Sequence, residues 1–526
     1  MAEQNPLLTL PEQPAAQTAP EPAVAEGRSG KPAKLLRADR RQCHLVAVDV
    51  ERLIPETHKA RAIWSLCSRL DTTPFLASVR TAEGRAGRPA WDPVVLISIW
   101  LYSYSEGIHS AREVERHMQH EPGLRWLTGL EIINHHTLSD FRVEHKEALD
   151  KIFSELLAVL EAADLVTLER LMHDGTKIRA HAGGDTFRRQ KTIEERLAEA
   201  RVVVEQMGDP RQEESVRQAA ARRRASRERT QKIEDALKEL KLLTGKPKSK
   251  RKSKRKKQQE EPRVSITEPE ARVMKHGDGG YAPSYNVQLS TDAQQKIITT
   301  VRVTQSASDS GELWPSLDNF KDAHGRLPRQ VVVDGGFTTR KAILQAAEEG
   351  VDLIGSLTDP SGRKAAGLKQ AGIDPAFGSS AFVVLDNAQA LACPAGKRLR
   401  LGRTTTQDGV LQRQYKARPE DCGGCAHQAL CCPKSRARSV QLSEEAAEVT
   451  AFRAKMDTEE ARQIYRQRGA VAEFPNAWIK EKLQLRKFRL RGLAKAGIEA
   501  LWACLTYNVM QWMRLCWLPE RRNSAA

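Results

Sequence analysis

The spacing of apolar positions changes period several times along the chain, and each change marks a different kind of element. Between about 45 and 165 the period is helical. Val94, Leu96, Ile97, Ile99, Trp100 and Leu101 follow Pro93, a residue suited to a first helical turn, and predict a strongly apolar helix that Gly107 ends. Ser110 is placed to cap a second helix carrying Arg112, Arg116 and His117. A third, with Leu138, Phe141 and Arg142, begins near Thr137. Short helices joined by tight turns, with basic side chains on exposed faces, suit either a helix-turn-helix DNA reader or a plain helical bundle.

The period then becomes strand-like. Leu171-Met172-His173-Asp174-Gly175-Thr176 reads as a strand ending in a turn. From 187 to 243 a heptad-like spacing takes over: Ile193, Leu197, Ala200, Val204 and Met207, then Ile233, Leu237 and Leu240, as in a helical hairpin or a short coiled coil. Strand signals return at 285–289 and 297–303, and the turn Thr291-Asp292-Ala293 between them makes a hairpin. A helix with Leu313, Leu317 and Phe320 follows, then a buried strand at 331–333 ending in Asp334-Gly335-Gly336. A helix with Ile343 and Leu344 and a short strand at 351–355 complete the series. This order predicts an α/β fold, a mixed sheet covered by helices.

At 526 residues the chain is long enough for roughly two to four structural units. Its formal net charge of +17 calls for a polyanionic partner, nucleic acid or an acidic membrane surface. The run KPKSKRKSKRKK at 246–257 holds nine Lys or Arg, as a solvated loop, a phosphate-binding arm or both. Residues 1–44, rich in Pro, Ala, Gln and Glu, read as a disordered tail without the basic start and apolar core of a signal peptide. The apolar stretch 498–518 is broken by Asn508, Gln511 and Arg514, so a packed C-terminal helix is expected there rather than a membrane span.

Two strands end in Asp-Gly, at Asp174 and Asp334, where α/β sheets form ligand crevices. A third acid, Glu473, precedes Phe474-Pro475, where Pro tolerates the first turn of a helix. Lys480 lies two turns further along the same face, and Arg468 and Tyr465 precede Glu473. Lys177 and Arg179 alternate along the segment after Asp174 and project to one side.

The segment Tyr465-x2-Arg468-x4-Glu473-x6-Lys480 resembles the Y-R-E-K signature of DDE-type insertion-sequence transposases. The following KFRLRGLAKAGIEALWACLTYNVMQW, with its Arg491-Gly492 and Tyr507-Asn508 pairs, resembles that group's C-terminal helix. HDGTKIRAHAG resembles the segment around the family's first Asp, EPEARVMKHGDGGYAPSYNVQLSTD its second strand region, and VVVDGGFTT its second Asp. The stretch 70–165, with GRPAWDPVVLISIWLYSYSEGIHSAREVERH and HHTLSDFRVEH, resembles the family's InsH-type N-terminal domain. Phe337 stands where Tyr is usual, and four residues separate Arg468 from Glu473 where three are common in related groups.

The resemblance implies a ribonuclease-H-like mixed sheet with insertions, preceded by an all-α, helix-turn-helix-like domain. Its segments would be the tail at 1–44, a DNA-binding region at 45–165 and the catalytic core at 166–186 and 280–360. A helical hairpin with a basic arm at 187–279 and a Cys-rich insertion at 361–455 would interrupt that core, and the Glu helix and C-terminal helix at 456–518 would precede a short tail at 519–526. It implies Asp174, Asp334 and Glu473 as catalytic ligands of Mg2+ or Mn2+, with Asp174 bridging two ions. Lys480 and Arg468 would hold phosphates, Tyr465 would stack on a base or pack in the core, and Lys177 and Arg179 would touch DNA. The implied reaction is hydrolysis at the ends of a mobile element, then attack of the freed 3′-hydroxyl on target DNA, by a homodimer holding paired ends. A cytoplasmic, nucleoid-associated protein with no membrane partner fits this. A catalytically silent DNA-binding derivative and a nuclease without strand transfer are the alternatives.

Nine cysteines, an odd count without an export signal, argue against disulfides. Cys393, Cys422, Cys425, Cys431 and Cys432 share one insertion, with the look of a zinc ribbon although the first pair lacks the C-x2-C spacing. Cys393, Cys422, Cys425 and Cys431 are the candidate structural Zn2+ ligands, with Cys432 or His427 as substitutes for the fourth; reduced, buried cysteines are the other reading. Cys43, Cys67, Cys504 and Cys516 are isolated.

Overall fold

A computed structural model describes residues 47–77, 79, 81, 89–207, 215–245, 261–358, 361–407 and 409–525. The chain divides into two compact units, Met1–Asp49 and Val50–Ala526. Of the first, only residues 47–49 are described, and they are exposed. The expected N-terminal tail, Cys43 and the basic run 246–257 lie outside the described residues.

The second unit opens with helices α1 (Lys59–Cys67), α2 (Thr73–Leu76), α3 (Pro93–Ser105), α4 (Ala111–His117), α5 (Pro122–Leu127), α6 (His135–Glu144) and α7 (Lys146–Ala162). The sequence of α3 is apolar all round, so the helix is buried on nearly every side. Asp92 caps it by accepting from Val94 N at 2.8 Å, and Pro93 sits where a missing N–H costs nothing. Ser110 precedes α4 but makes no capping bond. The next predicted helix starts at His135 rather than Thr137, because Asn134 Oδ1 accepts from His136 N at 2.8 Å and fixes the earlier start. Arg142 is not on an exposed face. It is buried, its guanidinium lies 4.5 Å from the Trp100 ring centre, and it donates to His109 O at 2.5 Å. An aromatic face and a carbonyl thus replace the water that the expectation gave it.

β1 (Arg170–Arg179) begins the first sheet. A side excursion follows: β2 (Phe187–Arg188), α8 (Gln190–Glu205), α9 (Val216–Gly245) and β3 (Val264–Ser265), with β2 and β3 paired antiparallel. The heptad positions Ile193, Leu197, Ile233 and Leu240 pack together with Ala236 and Val264, making the expected helical hairpin. The chain returns through β4 (Arg272–Lys275), β5 (Tyr281–Asp292) and β6 (Ile298–Thr304), then α10 (Leu313–His324), β7 (Gln330–Val332), α11 (Arg340–Glu348) and β8 (Asp352–Ile354). Thr291 and Asp292 belong to β5 rather than to the turn, which falls after them, with Lys296 at φ 61°.

The sheet order is β4-β5-β1-β7-β8, with β6 beside β4 on the same edge of β5. β5 is antiparallel to β1, whereas β7 and β8 run parallel to it. A second sheet stands in the next segment. After α12 (Ser361–Ala371), the strands β9 (Val383–Leu385), β10 (Ala390–Ala392), β11 (Arg398–Gln407), β12 (Val410–Lys416) and β13 (Ser439–Glu445) form an antiparallel meander in chain order, with α13 (Pro419–Gly423) and α14 (Gln428–Cys431) between the last two.

α15 (Ala447–Met456), α16 (Glu459–Arg468), α17 (Phe474–Glu481), α18 (Leu493–Trp512) and α19 (Leu518–Ala525) end the chain, so the stretch from 519 read as a tail is helical. α18 joins both halves of the unit. Trp502 stacks on Tyr104 of α3 with ring centres 6.4 Å apart and donates to Arg142 O at 3.3 Å. On its other side, Asn508 accepts from Ile298 N at 2.9 Å and donates to Ile298 O at 2.8 Å, while Tyr507 Oη donates to Lys296 O at 2.8 Å. The Tyr507-Asn508 pair therefore clamps the β5–β6 hairpin. One hydrophobic core runs from Ile54 through the α3, α7 and α18 side chains to the apolar faces of β1, β5 and β6. Among the described residues no helix is long and apolar enough to cross a membrane.

Candidate active site

β7 is short, and its pairing with β1 stops at Met172 opposite Val332. Asp334 follows β7 by two residues, and its charge acts on Asp174, so the two acids lie near one another. β1 runs on beyond the end of β7. Asp174 is mid-strand, not at a strand-ending turn. Gly175 follows it for a different reason from the one expected. A Cβ there would lie 2.5 Å from Asp309 Oδ1 and 2.7 Å from Gln288 Nε2, so a side chain has no room. Asp334 does sit in a turn. Its Oδ1 accepts from Gly336 N at 2.7 Å and Phe337 N at 3.3 Å, and its carbonyl accepts from Thr338 Oγ1 at 2.8 Å.

The third acid comes from the C-terminal helices. Glu473 does not open a helix. It closes a π-helical turn, Gly469–Glu473, that joins α16 to α17. Pro475 has no N–H to give the carbonyl four residues back, and a wider turn absorbs the missing bond. The Glu473 side chain is 62% exposed and pairs with Arg468 Nη2 at 3.3 Å. Asn476, one turn on, is buried and donates to Asp174 Oδ2 at 3.1 Å. Lys480 follows on the same stripe.

The charges report who is near whom. Burial pushes the Asp174 carboxyl up to about 6; Asp334 and Asp309 add to the rise, while the Gly175 N–H and Arg468 oppose it. Burial pushes the Lys480 ammonium down, and Asp174 partly restores it. Asp174, Asp334, Arg468 and Lys480 therefore share one electrostatic neighbourhood, whereas Glu473 is turned toward Arg468 and solvent. Among the described residues, no three His, Cys, Asp or Glu side chains stand as a ready metal cage.

Lys177 is half-buried and Arg179 exposed, on the same face of β1. Both, with Lys480, act on the His276 imidazole, whose affinity for a proton is lowered by burial first and then by Arg179, Lys480 and Lys177. Arg179 also meets Asp278 at 3.8 Å. Tyr465 is half-buried against the cluster of Met172, Val332, Ile354 and Val471.

Two residues escaped the sequence reading. Asn476 had a signal, its place three residues after Glu473 on one helical face. Asp309, in the loop after β6, had none. Its Oδ1 accepts from Asn286 Nδ2 at 2.7 Å and Gln288 Nε2 at 3.2 Å. Because Gln288 turns its NH2 to Asp309, its Oε1 faces His173 Nε2 at 3.0 Å, which must donate; His173 Nδ1 then accepts from Ser290 Oγ at 3.0 Å. Burial pushes His173 down to about 4, so the ring is neutral at physiological pH. The network supports β1 from the side opposite Asp174.

Cys393, Cys422 and Cys431 pack on the core of the second sheet, and Cys425 shares a small cavity with them. Cys67 and Cys504 are buried and Cys516 half-buried, all as free thiols.

Residues 392–513 match the family model described as a transposase DDE domain, and residues 48–144 match a transposase domain, DUF772. Both matches are to transposase families. They support a transposase function in general terms. The first takes in Arg468, Glu473 and Lys480 but neither Asp174 nor Asp334. No curated protein matches the chain. Among solved structures, a cryo-EM structure of the piggyBac transposase synaptic complex with hairpin DNA aligns with 87% of this chain and 82% of its own. At 9% identity and a TM-score of 0.24 that likeness carries no argument.

Proposed function

We propose that the chain is a DDE transposase of an insertion sequence with a ribonuclease-H-like core, in which Asp174, Asp334 and Glu473 hold divalent cations over a DNA phosphate. The observation that carries this is the buried Asp174 carboxylate on β1, which feels the charges of Asp334, Arg468 and Lys480 and accepts from Asn476 of the C-terminal helices. The strand order β6-β5-β1-β7-β8, antiparallel first and parallel after, supports the core assignment.

The donors are all carboxylate oxygens on an open rim, which fits a hard cation that keeps waters and phosphate oxygens in its shell. A buried acid held at about 6 beside two further carboxylates gains from a cation. Such ions, held by Asp174, Asp334 and Glu473, would supply an activated oxygen nucleophile and neutralise charge on the leaving oxygen. The rest falls to the chain. Asn476 fixes the Asp174 rotamer through Oδ2. Lys480 and Arg468 hold phosphate oxygens flanking the scissile bond, while Lys177 and Arg179, on the face of β1 opposite Asp174, meet DNA away from it. An arriving phosphate takes Arg468 from Glu473 and frees the third acid to turn inward. With Glu473 so exposed, that ion pair is worth at most about 1 kcal/mol and does not trap it. Two copies of the chain, one on each element end, complete the reaction.

The same Arg468–Glu473 pair is the observation that favours the alternative, a silent DNA-binding derivative. One assay separates them. The purified protein is incubated with DNA ending in the inverted repeats that flank its gene, a target plasmid and magnesium. The proposal expects 3′-hydroxyl ends joined to target, lost in Asp174→Ala and Glu473→Ala. DNA retention without cleavage supports the silent binder, and cleavage that persists in either variant removes the assigned site.

A further inference from the structure

The second sheet is a small module with little to hold it. Its interior is Phe382, Leu391, Leu399, Tyr415, Ala417 and Val440, with Cys393, Cys422 and Cys431 packed against them. Modules with so few core residues need a further tie, a disulfide or a metal. The cysteines here are free thiols.

They are nonetheless gathered. Cys393, Cys422, Cys425 and Cys431 line a cavity of about 30 Å³, the space of one water or one ion. Two of the sulfurs already accept backbone N–H groups, Cys393 Sγ from Lys397 N at 3.3 Å and Cys422 Sγ from Arg438 N at 3.5 Å. The first contact is built by a tight turn: Gly396, at φ 72°, donates to Cys393 O at 2.8 Å, and Cys393 N donates to Lys397 O at 2.9 Å. Such N–H groups favour a sulfur that carries negative charge.

A separate observation asks for an anion at this place. Arg438 lines the same cavity and is only 7% exposed. One of its Nη atoms donates to Phe377 O at 2.8 Å, and its guanidinium lies 5.6 Å from the Phe382 ring centre. Its Nε has no hydrogen-bond partner, and Asp421, which lines the same cavity, makes no ion pair with it among the described residues. A buried guanidinium without an anion is costly. Neutral thiols would leave that charge without an ion pair, whereas thiolates would supply one.

We propose that Cys393, Cys422, Cys425 and Cys431 bind a single structural zinc ion, with Arg438 as the buried counter-charge. Four S–H groups release four protons to solvent, four S–Zn bonds of about 2.3 Å form, and the cluster carries two negative charges beside Arg438. As thiols these side chains do not yet stand in a ligand cage, so they turn into the cavity when the ion enters. Cys431 is the fourth ligand rather than its neighbour. Cys432 and His427 line the same cavity, but Cys431 packs with Cys393 and Cys422 against the core of the module, where Cys432 does not. His427 is turned to Phe377, with ring centres 5.3 Å apart. This site is independent of the carboxylates, and its test reads bound metal rather than DNA chemistry.

The full chain, purified with zinc in the growth medium and washed with a mild chelator, is analysed for metal by mass spectrometry. One zinc per chain is expected, retained in Cys432→Ser and His427→Ala and lost in Cys425→Ser and Cys431→Ser. A second measurement guards against misfolded variants: wild-type protein exchanged with cobalt(II) should show sulfur-to-cobalt charge-transfer bands and the intense visible bands of a tetrahedral thiolate site. Zinc-free wild-type protein with no cobalt spectrum overturns the proposal. Zinc kept in Cys431→Ser but lost in Cys432→Ser overturns the ligand assignment.

Discussion

Replacing Asp174 by asparagine should stabilise the metal-free protein while abolishing strand transfer. Burial, chiefly, holds this carboxyl at about 6 against an ordinary 3.8. The difference corresponds to about 3 kcal/mol of work to keep the group ionised at neutral pH. Below 3.8 the carboxyl is protonated in folded and unfolded chains alike, and nothing is lost. Between 3.8 and about 6 the folded chain keeps a proton that the unfolded chain has released, so stability falls as pH rises; above about 6 the full cost is present and constant. Asparagine has no charge to bury. Some of the gain is returned, because Gly175 N–H and Asn476 Nδ2 both seek an acceptor and the new NH2 displaces one of them, at about 1 kcal/mol. A net gain of roughly 2 kcal/mol remains at neutral pH, vanishes at about pH 4.5 and turns into a loss of about 1 kcal/mol at lower pH. Urea unfolding in chelator, read as a midpoint shift at unchanged slope, measures it. Magnesium should then raise the wild-type midpoint and leave that of the variant in place. A variant no more stable than wild type at neutral pH, or a difference that does not vary with pH, would refute the account of a strained, buried acid.

Three further outcomes are expected. Asp309→Asn sets an amide donor against those of Asn286 and Gln288; it should cost about 1–3 kcal/mol of stability and raise the magnesium concentration needed for half-maximal cleavage. Arg468→Ala should change stability by no more than about 1 kcal/mol, since its partner is exposed, yet slow end cleavage by about 10- to 100-fold through the lost charged contact to phosphate; Arg468→Lys should recover part of that rate, and equal rates in all three proteins would exclude the contact. Asn508→Leu leaves the N–H and C=O of Ile298 unpaired in the core and should cost roughly 2–5 kcal/mol, so an unmoved urea midpoint would dismiss the clamp on the β5–β6 hairpin.

What could be read from the sequence was whatever its own neighbourhood determines. The helix after Pro93 is fixed by a local cap and an unbroken apolar run, and the helical hairpin by a heptad spacing that closes on itself. The strand at Asp174 was legible, but its extent was not: Asp-Gly is a common turn signal, and here the glycine answers to Asp309, which only the return of β6 brings near. Arg142 looked like a surface cation because its partners, Trp100 and the His109 carbonyl, come from another helix and a loop. Glu473 was expected at a helix start because Pro475 follows it; the structure spends the proline on a π-turn inside a longer helix. The cysteine spacing marked a cluster without choosing between Cys431 and Cys432, since adjacent residues can turn to either side until the fold is known.

The position of α18 bears on how such a gene can decay. Its flanks insert between α3 and β6, so neither the leading helices nor the sheet owns a complete apolar interior. A frameshift or stop ahead of α18 would bare the apolar faces of α3 and β6, and the remaining fragment is expected to be insoluble. A chain shortened ahead of α18 is therefore expected to be lost rather than kept as a folded fragment.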